Sequence, residues 1–282
     1  MTFRVAQISD THLSPTKPHF VENFRRLAAH LRAVAPDLVV NTGDISLDGA
    51  DSEADLRLAR QMHDEIGLPW VAVPGNHDVG DDPATAKKQP LDTERVARFG
   101  RVFGAGRFSV DCPGWRLIGV NSLLSGADID EARVQLAFLR EAVAEAKDRK
   151  IALFLHKPLV LDEADADSYW LVARAGRDRI ADAFGDVKPA VVACGHMHQF
   201  RRLSRDGTAH IWAPSCAFVV GDAHQARFGT KLVGYVEHDF RPDGTHEARL
   251  ATVDGLALLD LGMMPEIYGQ LPGALETRDA AQ

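Results

Sequence analysis

The chain has 282 residues, a formal net charge of -8 and an ordinary hydrophobic share of 45%, enough for one sizeable buried core. The acidic balance excludes broad nucleic-acid binding and a polybasic membrane contact, which need concentrated Lys and Arg, so no nucleic-acid polymer and no membrane is expected as a partner. Cys112, Cys194 and Cys216 show neither a disulfide nor a zinc-ligand spacing, and a soluble cytoplasmic protein with reduced thiols is expected.

The first run, FRVAQIS, reads as a strand rather than a secretory signal, being short and passing straight into polar DTHLSP. Phe24, Leu27, Leu31 and Val34 recur at helical spacing and predict a helix over about 20–34. DLVVNT is a second strand that runs into Gly43-Asp44. Residues 51–66 read as helix, and PWVAV is a third strand, ending in Gly75-Asn76-His77-Asp78. Such short, fully apolar strands suit a sheet covered on both faces. WRLIGVNS, a helix over about 130–147 and the strand IALFLHK follow, then a long segment, 159–186, and PAVVACGHMH. Beyond His198 the strand candidates crowd together: FRRLSR, TAHIWAPS, LVGYVEHDF and HEARLATV, with Asp206-Gly207 and Asp243-Gly244 as hairpin turns. An α/β front and a meander-like back predict two packed sheets with helices outside. The expected organisation is one domain over residues 1–262 and a C-terminal tail, 263–282, either loose or packed on a partner. A homo-oligomer is compatible with this reading.

The polar groups just past the apolar runs are Asp10 and His12, Asp44, Asn76 and His77, His156, and His196 and His198. Parallel strands share one C-terminal edge, where loops converge on a site. Five strand ends delivering only Asp, Asn and His make a metal-ligand set, suited to Mn, Fe, Zn or Co and offering no thiolate. The set is too large for one tetrahedral ion and suits two, ~3.5–4 Å apart, sharing a carboxylate. Residues two apart on an extended segment point the same way, which would let Asp10 with His12, and His196 with His198, converge.

The series D-x-H, G-D, G-N-H-D, H and G-H-x-H, from Asp10 to His198, resembles the calcineurin-like metallophosphoesterase superfamily. The resemblance implies an α/β fold, a four-layer αββα sandwich of two mixed sheets flanked by helices, with a dinuclear centre. It places Asp10, His12, Asp44 and His198 on one ion. Asp44 as a bridge, Asn76, His156 and His196 fall on the other, and His77 faces the substrate as a catalytic group beside Asp44. Pro74 and Asp78 flank the G-N-H motif where Ser/Thr protein phosphatases carry Arg and Glu. Leu47, three residues after Asp44, stands where purple acid phosphatases place Tyr. The chain is similar instead to the small bacterial class III cyclic-nucleotide and glycerophosphodiester phosphodiesterases, with QLAFLREAV and APSCAF as further likenesses. The implied function is hydrolysis of a small phosphodiester by a hydroxide activated by two metal ions, Mn, Fe or Zn. The alternatives are a phosphomonoesterase with the same metals and a non-catalytic scaffold. Many members orient the catalytic histidine with an Asp at the Leu47 position; Asp48 and Asp78 are the candidates here.

Other residues carry less. His30 and His63 fall in helical patterns and read as packing or surface groups, and His224 lies in a loop that could approach the site. Arg201, Arg202 and Arg227 could reach a substrate phosphate. Tyr169 and Trp170, in the acidic segment after His156, either anchor a loop or form a lid over the centre.

Overall fold

A computed structural model describes residues 1–83, 89–161, 168–271 and 273. The first half contains β1 (Phe3–Ile8), α1 (Val21–Val34), β2 (Leu38–Asn41), α2 (Glu53–Asp64), β3 (Trp70–Ala72), the one-turn α3 (Asn76–Val79) and α4 (Thr93–Phe103). Then come β4 (Phe108–Cys112), β5 (Trp115–Gly119), α5 (Asp130–Ala144), β6 (Lys150–Phe154), α6 (Arg174–Phe184) and β7 (Val191–Cys194). The last part holds β8 (Arg201–Arg205), β9 (Thr208–Trp212), β10 (Tyr235–Phe240), β11 (His246–Ala251) and the short α7 (Pro265–Tyr268). Among the described residues no helix is long and apolar enough to cross a membrane.

The strands form two mixed sheets, ordered β11-β10-β1-β2-β3 and β4-β5-β6-β7-β9-β8. β1, β2 and β3 are parallel, as are β5, β6, β7 and β9. Neighbouring strand residues serve opposite faces. Val40, Leu117 and Phe154 fill the layer between the sheets, with Val5, Val191 and Val236. Their neighbours point outward: Val39 packs with Phe24, Leu31 and Leu56 beneath α1 and α2, and Ile118 and Leu153 with Leu139 and Ile180 beneath α5 and α6. This is why the strands read as unbroken apolar runs, and it produces the four layers αββα.

The meander-like back is corrected. β8 and β9 stay paired through the tight Asp206-Gly207 turn (φ 51° and 84°) and close one sheet. β10 and β11 instead close the other sheet, against β1. The long connection 213–234 makes the crossing and brings Ser215 and Phe218 to the edge where the polar residues gather. Elements without a clear sequence signal include α4, which contains Gly100; β4, a half-exposed edge strand; α6, within the segment 159–186; and α7 in the tail.

Behind this edge His63 is fully buried and acts as a brace. Its Nδ1–H donates to the Ala59 carbonyl (2.8 Å) and its Nε2 accepts from the Asn41 amide (2.9 Å). Asn41 Oδ1 in turn accepts from Gly43 N (2.9 Å), so the brace reaches the Asp44 loop. A proton on Nε2 would face the Asn41 amide hydrogens, and burial holds the imidazole pKa down to about 4, against 6.5 in an open chain. Because the unfolded chain then binds the proton more tightly, the His63 contribution is whole above pH 6.5 and is lost progressively from there towards pH 4. Each pH unit in that window is worth about 1.4 kcal/mol. Between pH 7.5 and 5 the unfolding free energy of the wild type, from urea titration, should fall by about 2 kcal/mol more than that of His63→Gln; coincident profiles would remove His63 as the cause.

Candidate metal centre

Each proposed ligand lies just beyond the C-terminal end of a strand: Asp10 and His12 after β1, Asp44 after β2, Asn76 after β3, His156 after β6, and His196 and His198 after β7. Their convergence does not come from pleat alternation, which is a correction to the sequence argument. Asp10 (φ 53°), His12 (44°), Asp44 (49°), His196 (66°) and His198 (53°) all occupy the left-handed region. An L side chain there crowds its own backbone, at about 1–3 kcal/mol each, and such strain clusters where surrounding contacts enforce it for function. The contacts are visible. Asp10 N donates to the Gly43 carbonyl (2.9 Å) and His12 N to the Asp44 carbonyl (3.0 Å). Ser215 Oγ donates to the Asp10 carbonyl (2.9 Å). Gly75 passes so close that a Cβ on it would lie 2.2 Å from Asp44 Oδ1, and a Cβ on Gly43 (φ 101°) would lie 2.6 Å from His156 Nδ1.

The donor atoms form two overlapping groups. Those of Asp10, His12, Asp44 and His198 lie within 4.8 Å of one another, and so do those of Asp44, His156 and His196. Asp44 belongs to both: its Oδ2 is 3.8 Å from His12 Nε2 and 3.3 Å from His156 Nε2. His198 Nε2 is 3.1 Å from Asp10 Oδ1. Asn76 joins the second group, its Oδ1 3.1 Å from His156 Nε2.

Two observations fit this set to cations. His12 Nε2 and His196 Nε2 are buried without a hydrogen-bond partner, a state that native interiors rarely leave unexplained. The electrostatics agree. Burial, with neighbouring cationic groups, holds His12 and His196 well below the usual imidazole range, in the neutral form that binds metals. Burial alone would raise Asp44, but the facing His156, His77 and His12 outweigh it and keep the carboxylate ionised. Burial likewise lowers His156, yet Asp44 and Asp10 overcome this and lift it to about 9. A field that draws a proton to His156 Nε2 draws a metal ion to the same atom.

His77 stands at the rim, half-buried. Its N–H donates to Asp44 Oδ1 (2.9 Å), and its Nδ1–H donates to the Leu47 carbonyl (2.8 Å). Neither Asp48 nor Asp78 orients it. The backbone of Leu47 performs that task. Asp48 pairs with Lys17. Asp78 turns inward and accepts from Gly75 N, Ile45 N, Ser46 N and Ser46 Oγ at 2.5–3.0 Å, tying together the loops after β2 and β3.

Tyr169 and Trp170 stand beside His196, with ring centroids 5.3 and 5.6 Å from its ring. The rest of the acidic run, 162–167, lies outside the described residues. Tyr169 is held by Lys157, which sequence reasoning missed. Lys157 is almost fully buried, and its Nζ donates to Asp81 Oδ1 (2.6 Å) and the Tyr169 carbonyl (2.7 Å) while covering the Tyr169 ring at 4.5 Å. The signal was a lysine closing the apolar run IALFLH. Two of these arginines turn elsewhere: Arg201 donates to the Leu161 carbonyl and covers Trp212, and Arg227 pairs with Asp222. His224 packs against Gly262. A second residue had no sequence signal. Tyr268 of α7 brings its phenol to 3.1 Å from His12 Nδ1 and 3.4 Å from His77 Nδ1. The tail beyond residue 273 lies outside the described residues.

Known proteins resemble this chain. A probable glycerophosphodiester phosphodiesterase of Arcobacter nitrofigilis is 28% identical over 210 residues, 69% of this chain and 71% of that one. A probable cyclic nucleotide phosphodiesterase of Synechococcus is 24% identical over 265 residues, 90% of this chain and 94% of that one. Among solved structures, a dimetal phosphatase from Danio rerio superposes with a TM-score of 0.56 at 14% identity, covering 84% of this chain and 92% of its own, a likeness of fold. Residues 3–200, which contain every strand end described above, match the calcineurin-like phosphoesterase family, and the chain belongs to it.

Proposed function

We propose that this phosphoesterase hydrolyses small phosphodiesters, of the cyclic-nucleotide or glycerophosphodiester kind named for its relatives. The observation that carries the reading is Asp44, shared between two groups of donors, each of which holds a buried imidazole Nε2 without a partner, that of His12 in one and of His196 in the other. Asp10, His12, Asp44 and His198 would hold one ion, and Asp44, Asn76, His156 and His196 the other; the nitrogen and oxygen donors suit Mn, Fe or Zn. When bound, two such ions supply a nucleophile from water at neutral pH and neutralise phosphoryl charge. The chain's own residues do the rest. Asp44 keeps its charge in a buried position, and Asp78 fixes the two loops that present Asp44 and Asn76. His77, with Nδ1 committed to the Leu47 carbonyl, turns Nε2 outward to donate a proton or hydrogen bond to the departing oxygen. Tyr169 and Trp170 form a wall that can carry a second organic group. The free, buried cysteines support a reducing, cytoplasmic setting.

A diester carries one negative charge and two ester arms, whereas a monoester can carry two charges and needs no wall. Among the described residues, Lys157 is engaged by Asp81 and Arg201 by the Leu161 carbonyl, and neither offers a fork for a dianion. With Mn²⁺ loading held constant, kcat/KM should be higher for bis(p-nitrophenyl) phosphate than for p-nitrophenyl phosphate. Cyclic AMP and a glycerophosphodiester in the same panel separate the two substrate classes. Equal or better use of the monoester would defeat the diester preference and leave the metal centre standing.

A further inference from the structure

The C-terminal segment docks beside the two donor groups. Its path is fixed by several independent contacts. Val219 N donates to the Leu259 carbonyl (2.8 Å) and Leu261 N to the Val219 carbonyl (2.9 Å), a short bridge to the connection that carries Phe218. Ile267 is buried with Phe20, Leu47, Phe218 and Leu261, and its carbonyl accepts from Lys17 Nζ (3.0 Å), which also pairs with Asp48. These contacts leave Tyr268 facing the site, its ring centroid 5.2 Å from His77 and 6.4 Å from His12. The family match ends at residue 200, well before this segment.

The outer nitrogens of the imidazoles show what the phenol does. His156 Nδ1 faces the Thr42 carbonyl at 2.8 Å, His198 Nδ1 the Phe218 carbonyl at 3.3 Å, and His77 Nδ1 the Leu47 carbonyl at 2.8 Å. His12 Nδ1 faces the Tyr268 hydroxyl at 3.1 Å. The unpartnered His12 Nε2 points into the donor group. A neutral imidazole that offers the Nε2 lone pair to a cation carries its hydrogen on Nδ1, and that hydrogen needs an acceptor. A backbone carbonyl fills this role for His156, His198 and His77; at His12 a side-chain oxygen from the far end of the chain does so.

We infer that Tyr268 is a positioning residue for the metal centre: its oxygen accepts the His12 Nδ1 hydrogen and holds His12 in the metal-binding tautomer and orientation. C-terminal docking and occupancy of the His12 position are thereby coupled. This rests on the two-ion reading above.

The test is Mn²⁺ binding to the full-length, metal-stripped protein, followed by isothermal calorimetry and by the EPR signal of free Mn²⁺. Tyr268→Phe keeps the ring and removes only the oxygen, so the tail stays packed. Wild type should bind two ions, and the variant should bind one of them ~10–100-fold more weakly, as for other partners behind metal-ligating histidines, with the other ion within twofold. In a His12→Ala background, Tyr268→Phe should change neither step, because its effect runs through His12. Unchanged affinity at both steps, equal weakening of both, or the same loss with His12 absent would overturn the inference. Failure of the wild type to bind two ions would instead remove the reading on which it rests.

Discussion

Asp44→Ala is expected to lose metal from both positions and to abolish hydrolysis. One carboxylate serves both donor groups, 3.8 Å from His12 Nε2 and 3.3 Å from His156 Nε2. Among the described residues, the neighbouring carboxylates Asp10 and Asp78 are not free to replace it: Asp10 is committed to His196 N and faces His198, and Asp78 is occupied by loop N–H groups. Asp44 also accepts from His77 N, so alanine leaves that donor unpaired at the rim. Asp44→Asn is the sharper variant. It keeps an acceptor for His77 N but removes the charge that holds two cations close together. Elemental analysis of the purified variants should find fewer than two ions per chain in both. Occupancy near two in Asp44→Ala would reject the bridging role.

His77→Ala should behave in the opposite way, keeping its metals and losing turnover. The ring is held by the Leu47 carbonyl and packs 4.8 Å from the His12 ring and 5.2 Å from the Tyr268 ring. It belongs to neither donor group. A group that donates to the departing oxygen contributes ~10²–10⁴-fold. The loss in kcat should therefore approach the upper end for diesters with poor, alkoxide-like leaving groups. It should be smaller for p-nitrophenolate, which leaves without protonation. Metal analysis beside the kinetics decides the role, since ions lost in step with activity would make His77 a ligand.

Much of this was legible along the chain because each signal is local. Val39-Val40 and Leu153-Phe154 report a strand covered on both faces, since a pleated strand sends neighbours to opposite layers. Gly43 and Gly75 mark points where the backbone comes within contact of Asp44 and His156, and no larger residue fits there. The G-N-H-D turn announced chemistry because a turn has no use for the imidazole.

Other features had no local signature. The left-handed backbone at Asp10, His12, Asp44, His196 and His198 arises from hydrogen bonds between loops distant in sequence, such as Asp10 N to the Gly43 carbonyl. Leu47 orients His77 through a carbonyl, and a carbonyl is common to every residue type. The late hairpins share one pattern but join different sheets, a choice made by which edge each can cover. Tyr268 is the extreme case, 256 residues from His12 in a segment without periodicity. Sequence alone determined the candidate donor types and the strand ends that carry them, because those are properties of short segments. Tertiary structure decided their orientation and which distant groups support them, because these depend on contacts that form only when the chain is closed.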